Sequence, residues 1–273
     1  MLELSEAAVI AQQVNEVISG KRIVNVTAAQ SPHKFAWYQG DPQKYHEILS
    51  GKVIGKARSY GGLLEIKAED ACILLGDGVN LRYYTESEIL PAKHQLHIEF
   101  EDCSHLIGSV QMYGGLWVFH EGQNQNKYYL IAKEKPHPLS EDFSEEYFAK
   151  MISESSDTLS LKAFLATEQR IPGLGNGVLQ DILYNAGLHP KRKMKTLTDT
   201  DKNSLYNSIK TTLAKMIFDG GRDTERDLYG CLGGYKTILS KNTVDKPCSV
   251  CGSIIMKQAY MGGSIYFCEG CQK

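Results

Sequence analysis

The stretch Gln169-Arg-Ile-Pro-Gly-Leu-Gly-Asn-Gly-Val178 lies between two segments whose apolar residues recur at helical spacing, Leu159–Gln169 and Gly177–Ala186. Three glycines and a proline in ten residues do not continue a helix. They predict a tight corner that delivers the chain into a second helix. Such a corner gathers backbone N–H groups at a helix N-terminus, which suits a phosphate. In this reading Gly173 and Gly175 shape the turn, while Asn176 caps the second helix and donates to a phosphate oxygen. Lys162, Arg170 and Lys191-Arg-Lys193 extend a basic surface nearby. The same glycines also suit a corner that serves packing alone. A dinucleotide-binding motif is rejected, because it would have to follow a strand.

On the C-terminal side come a third helix, Asp201–Phe218, and a glycine-rich stretch, Gly220–Tyr235. Then Cys248-Ser-Val-Cys251 is followed, sixteen residues later, by Cys268-Glu-Gly-Cys271. Two such pairs predict four thiolates closing a tetrahedral shell around one structural Zn2+, with no position left for catalysis. Ile254–Tyr260 and Ile265–Phe267, joined through Met261-Gly-Gly-Ser264, read as a hairpin between the pairs. Cys72, Cys103 and Cys231 stand apart and read as buried thiols. An odd cysteine count argues against a disulfide framework.

Toward the N-terminus, Ser5 is placed to cap a helix carrying Val9, Ile10, Val14, Val17 and Ile18, with Gly20 at its end. Short apolar runs follow: Ile23–Thr27, Val53–Ala57, Leu63–Ile66, Cys72–Leu75, Leu81–Tyr84, Gln95–Phe100, Leu106–Val110, Leu116–Phe119 and Tyr128–Ile131. That cadence predicts an antiparallel sandwich or barrel of about eight strands. A helix over Glu145–Ile152 lies between Lys135-Pro-His-Pro138 and the polar Ser153–Ser156 and marks a change of domain. The fold class is therefore α+β: an N-terminal helix with a two-layer β-sandwich lobe, a helical lobe, and a zinc-ribbon hairpin. The expected limits are 1–135, a linker at 136–156, then 157–240 and 241–273.

The 273 residues carry 30 Lys/Arg and 32 Asp/Glu. From Asp157 onward the balance is 16 to 11, so the second half is basic and the first acidic. That asymmetry fits a nucleic-acid partner, and it equally fits a solvated mixed surface. No apolar run approaches the roughly 18 residues a membrane span requires. Met1-Leu-Glu-Leu-Ser-Glu6 lacks the basic and apolar regions of a secretory signal, so the expected setting is the cytoplasm, with the protein at the nucleoid when bound to DNA.

Ile171-Pro-Gly-Leu-Gly-Asn176, Ala186-Gly-Leu-His-Pro190 and Tyr266-Phe-Cys-Glu-Gly-Cys-Gln272, behind an N-terminal Leu2-Glu-Leu-Ser-Glu6, together resemble the formamidopyrimidine-DNA glycosylase and endonuclease VIII family over essentially the whole chain. The resemblance implies a helix-two-turn-helix domain, DNA lying between two lobes, and base-excision repair by a monomer. An N-terminal amine attacks the sugar of an everted, damaged or abasic nucleotide in double-stranded DNA, because that carbon is inaccessible in a stacked duplex. Leu2 stands where the family has its nucleophilic proline. A residue of that size retains Met1, moving the amine by about 3.8 Å of chain. Glu3 matches the acid–base carboxylate and Glu6 its supporting partner; as first-turn carboxylates both also suit the helix dipole.

Gly61 falls where the family has a lysine, and Gly263 where the hairpin tip has an arginine. Ser109-Val-Gln-Met-Tyr-Gly114 replaces the loop that fills the gap left by the everted base, with Met112 and Tyr113 as the wedge. Tyr235 and Lys236, in the segment matching the lesion-recognition loop, are further expected DNA contacts, as is Lys162. Two functions follow: a divergent DNA glycosylase, with or without AP lyase activity, and a non-catalytic binder of damaged or bent DNA that keeps the scaffold.

Overall fold

The structure, a computed structural model, describes residues 2–273. Helix α1 (Leu4–Val17) opens the chain, and Glu3 rather than Ser5 occupies its N-cap position. Ser5 is one residue inside the helix, fully buried, with its hydroxyl donating to Glu6 Oε1 at 3.0 Å.

Seven strands follow: β1 (Ile23–Ala28), β2 (Ala36–Trp37), β3 (Ile54–Tyr60), β4 (Leu63–Ala68), β5 (Ala71–Tyr84), β6 (Leu96–Phe100) and β7 (His105–His120), with helix α2 (Tyr45–Leu49) between β2 and β3. They form one hydrogen-bonded sheet in the order β1-β6-β7-β5-β4-β3, with β2 parallel to β7. The long strands β5 and β7 run through both layers, so two pairs of expected short strands are single elements. Glycines that read as turns are points of close approach instead. A Cβ on Gly78 would run into the Tyr113 carbonyl, and one on Gly76 into Leu63. Register shifts between Asp77 and Val79, leaving residues 111–113 of β7 unpaired. This bulge turns the Met112–Tyr113 segment out of the ladder.

Tyr128–Ile131 is helical, not a strand. It belongs to α3 (Lys127–Glu134), whose N-cap Asn126 accepts from the Tyr128 and Tyr129 nitrogens. A local cap outweighs β-branched and aromatic propensity over so short a run.

The helical region contains α4 (Glu145–Ser153), α5 (Leu161–Ala166), α6 (Asn176–Asn185) and α7 (Asp199–Phe218). α5 is shorter than expected because Ser160 caps it late and Glu168 and Gln169 adopt left-handed φ of 57° and 50°. A capping box between Thr198 and Asp201 begins α7. The chain ends in the hairpin β8 (Met256–Tyr260) and β9 (Gly263–Phe267). Of the isolated cysteines only Cys72 is buried; Cys103 and Cys231 lie exposed in turns.

Two large cores result. One lies against the sheet and includes Leu2, Ile10, Val14 and Ile18; the other holds α4–α7 and includes Leu4. The first residues of the chain therefore straddle both cores, which places Glu3 and Glu6 on the seam. Among the described residues no helix is long and apolar enough to cross a membrane.

Candidate active site and nucleic-acid interface

The seam is closed by glycines. A Cβ at Gly61 would lie 2.7 Å from the Pro172 carbonyl carbon, and one at Gly173 would overlap the Gly62 nitrogen. Both glycines have left-handed φ, 58° and 75°. Leu4 N donates to Gly173 O at 2.9 Å, adding α1 to the same contact. The position where the resemblance puts a lysine thus has room for backbone only.

Glu3 is 8% exposed, and its carboxylate accepts from Gly177 N at 2.9 Å and Val178 N at 2.8 Å. It sits on the α6 N-terminus, where the fixed peptide dipoles favour an anion. The corner was expected to offer these N–H groups to a phosphate and to be capped by Asn176. Glu3 takes two of them, Gly175 is the N-cap residue, and the Asn176 amide donates to Ser264 O at 2.8 Å instead. Gly175 makes this possible, because a Cβ there would come within 2.5 Å of the Glu3 carboxyl carbon.

Behind Glu3 lies a residue that sequence reading missed. Arg222, 2% exposed, donates from Nε and Nη2 to Glu6 at 2.9 and 2.7 Å, and its Nη1 is 3.5 Å from Glu3. Burial raises the Glu3 pKa; Arg222 and the two N–H bonds oppose that without cancelling it. Burial acts the same way on Glu6, but there the bidentate Arg222 prevails and the pKa is lowered. Arg222 in turn is held protonated by the two carboxylates against its own burial. Two carboxyls on one helix, three residues apart, are thereby tuned in opposite directions. Arg222 follows two glycines in a loop without periodicity, so nothing local in the sequence pointed to it.

Glu3 faces a cleft of ≈ 480 Å3 bordered by Leu2, Trp37, Tyr113 and Asp77, and floored by Gly62, Gly173 and Gly175. Leu2 is 7% exposed, and its nitrogen donates to Asp77 O at 2.7 Å. The expected amine of Met1 lies outside the described residues. Tyr113 stacks obliquely on Trp37, with ring centroids 5.7 Å apart, while Met112 is 66% exposed.

A second grouping lies toward the hairpin. Lys162 donates to Tyr260 O at 2.6 Å, Lys191 Nζ stands 5.2 Å from the Tyr260 ring centroid, and a Cβ at Gly263 would be 3.5 Å from Lys162 Nζ and 3.7 Å from the Asn176 amide. Three expected contacts, Lys162, Asn176 and the hairpin tip, are thus brought together. Arg192 is engaged by Asp201 and Lys193 by Thr158 O, so neither joins them. Tyr235 does not join them either. At 6% exposure it belongs to the helical core, where it is not available to a base, and its neighbour Lys236 is exposed.

Cys248, Cys251, Cys268 and Cys271 bring their sulfurs within 4.8 Å of one another, the donor set and proximity of a four-thiolate metal site. α6 anchors this knuckle: Tyr184 Oη is 3.0 Å from Cys248 Sγ, and Gln180 Oε1 accepts from Tyr266 N at 3.1 Å.

Comparison with known proteins agrees with this geometry. Residues 135–227 match the formamidopyrimidine-DNA glycosylase H2TH domain. A formamidopyrimidine-DNA glycosylase of Prochlorococcus marinus (strain MIT 9312) is 32% identical over 70% of this chain, which spans 66% of that relative's length. One from Bacillus anthracis is 23% identical over 100% of the chain and 99% of the relative. The crystal structure of Lactococcus lactis Fpg in complex with an abasic site containing DNA superposes with a TM-score of 0.84 at 25% identity, covering 99% of each chain. With the glycine corner, the seam carboxylate and the cysteine hairpin all in place, the chain belongs to the formamidopyrimidine-DNA glycosylase and endonuclease VIII family.

Proposed function

We propose that the protein is a DNA glycosylase of base-excision repair, acting on a damaged or abasic nucleotide in double-stranded DNA, with an amine at the start of the chain as nucleophile. The position of Glu3 carries this reading: a buried carboxyl with a raised pKa, fixed on a helix N-terminus and opening on a cleft between two lobes. A carboxyl shifted toward neutrality exchanges protons efficiently with a reacting sugar or leaving base. Glu6, held ionised by Arg222, keeps that partner in place. Leu2, or Met1 before it, supplies the amine, whose ordinary pKa near 8 leaves a neutral fraction at neutral pH.

Lys162, Asn176 and the Gly263 tip serve the DNA backbone, with Gly173 and Gly175 providing the close approach. Met112 and Tyr113 serve the gap left by an everted base. Lys236 is exposed for a further phosphate contact. The four cysteines hold one structural Zn2+, which organises the hairpin and has no open position. The Lactococcus lactis complex with abasic DNA supports the choice of ligand.

Gly61 favours a second reading, a scaffold that binds without turnover, because the seam excludes the lysine side chain. Borohydride reduction during incubation with abasic and oxidised-base duplexes separates the two. The expected result is a trapped covalent adduct, with base release slowed about a hundredfold or more in Glu3→Gln. Lesion-selective binding with no adduct and no cleavage on any duplex would replace the enzyme by the binder.

A further inference from the structure

The cleft beside Glu3 differs in charge from the basic grouping at the hairpin. Trp37, Tyr113, Trp117 and Tyr128 line it together with Glu3 and Asp77, and among the described residues no lysine, arginine or histidine does. Both tryptophans of the chain are there. The arrangement is built rather than incidental. β2 pairs in parallel with Gly114 and Gly115, which brings Trp37 alongside, and a Cβ on Gly115 would collide with the Trp117 ring. Asp77 takes a left-handed φ of 59° at the register shift, and Trp37 remains 44% exposed.

A phosphate would meet two carboxyls and no cation here, so this cleft is not part of the backbone track. Its volume, ≈ 480 Å3, falls in the range of small-ligand sites. Aromatic faces carry negative potential and attract a cation above them, more strongly in a desolvated setting. Adjacent carboxylates add to that attraction and accept hydrogen bonds from ring or exocyclic N–H groups.

We propose that this cleft is the subsite for the everted base and that it selects a positively charged purine ring, one alkylated on a ring nitrogen, over neutral bases. Its place in a reaction rests on the glycosylase reading; the binding preference does not.

The test titrates the full-length protein with 1-methyladenosine, adenosine and adenosine 5′-monophosphate and follows tryptophan fluorescence. The cationic nucleoside should bind about tenfold more tightly than adenosine, with the monophosphate weakest. Asp77→Asn, a residue type that tolerates left-handed φ, should reduce the ratio to about threefold. Trp37→Leu, at a partly exposed position, should remove most of the quench. Equal constants for the two nucleosides, or tightest binding by the monophosphate, would overturn the inference. Selectivity without any borohydride adduct would leave it standing and remove the chemistry; an adduct without selectivity would do the reverse.

Discussion

Replacing Arg222 by methionine takes the guanidinium from between two buried carboxyls while keeping much of its volume. Glu3 and Glu6 side chains are only 10% and 5% exposed, so water does not take over the lost interactions. Breaking a buried ion pair by removing one partner costs about 3–5 kcal/mol. At roughly 2–4 °C per kcal/mol for a chain of this size, the melting temperature should fall by about 10 °C at pH 8. The loss should also depend on pH. In the native protein Glu6 titrates below its unfolded value, so its contribution is full above the ordinary carboxylate range and is lost as pH falls through the folded pKa. Glu3 titrates above its unfolded value, so its contribution is full at low pH and is lost as pH rises through the folded pKa. Without Arg222 both carboxyls shift upward, and the folded variant binds more protons than the unfolded chain. The gap between the two proteins should therefore narrow steadily from pH 8 to pH 5 in circular-dichroism melts. A loss below 2 °C, or one of equal size at every pH, would mean that the carboxyls are not desolvated and that Arg222 does not set their charge.

Gly173→Ala should destabilise by more than 3 kcal/mol on the same assay, since a Cβ would overlap Gly62 at a left-handed φ of 75°; near-native melting would show that the seam opens freely. Lys162→Ala should weaken duplex binding and lower the log–log salt slope by about 0.9, and an unchanged slope would place Lys162 outside the interface. Cys268→Ser should lower bound zinc well below one equivalent by elemental analysis and weaken DNA binding together with it, because α6 and the hairpin share the Tyr184 and Gln180 contacts. Full zinc occupancy in that variant would contradict the four-thiolate site.

Strong local signals carried through from sequence to structure. The cysteine pairs do so because two-residue spacing lets each pair turn back on one ion, and α1, α6 and α7 do so because periodicity and glycine punctuation are properties of a short window. Local reading failed where a distant group changed a residue's task. Asn176 looked like a cap until Glu3, remote in sequence, took the N–H groups of α6; Tyr128–Ile131 looked like a strand until Asn126 capped it. Gly76, Gly78, Gly114 and Gly115 looked like turns, whereas their missing Cβ atoms make room for Leu63, Tyr113, Val79 and Trp117.

The sequence by itself determined that a glycine corner, a four-cysteine hairpin and a carboxylate-bearing first helix occur in this order, because each is encoded within a few neighbouring residues. Only the tertiary structure decided that Arg222 sets the charges of Glu3 and Glu6, that Gly61 meets Pro172, and that Trp37, Tyr113 and Asp77 share a cleft. Those facts depend on desolvation and steric exclusion between segments far apart in the chain, and neither acts until the chain has closed on itself.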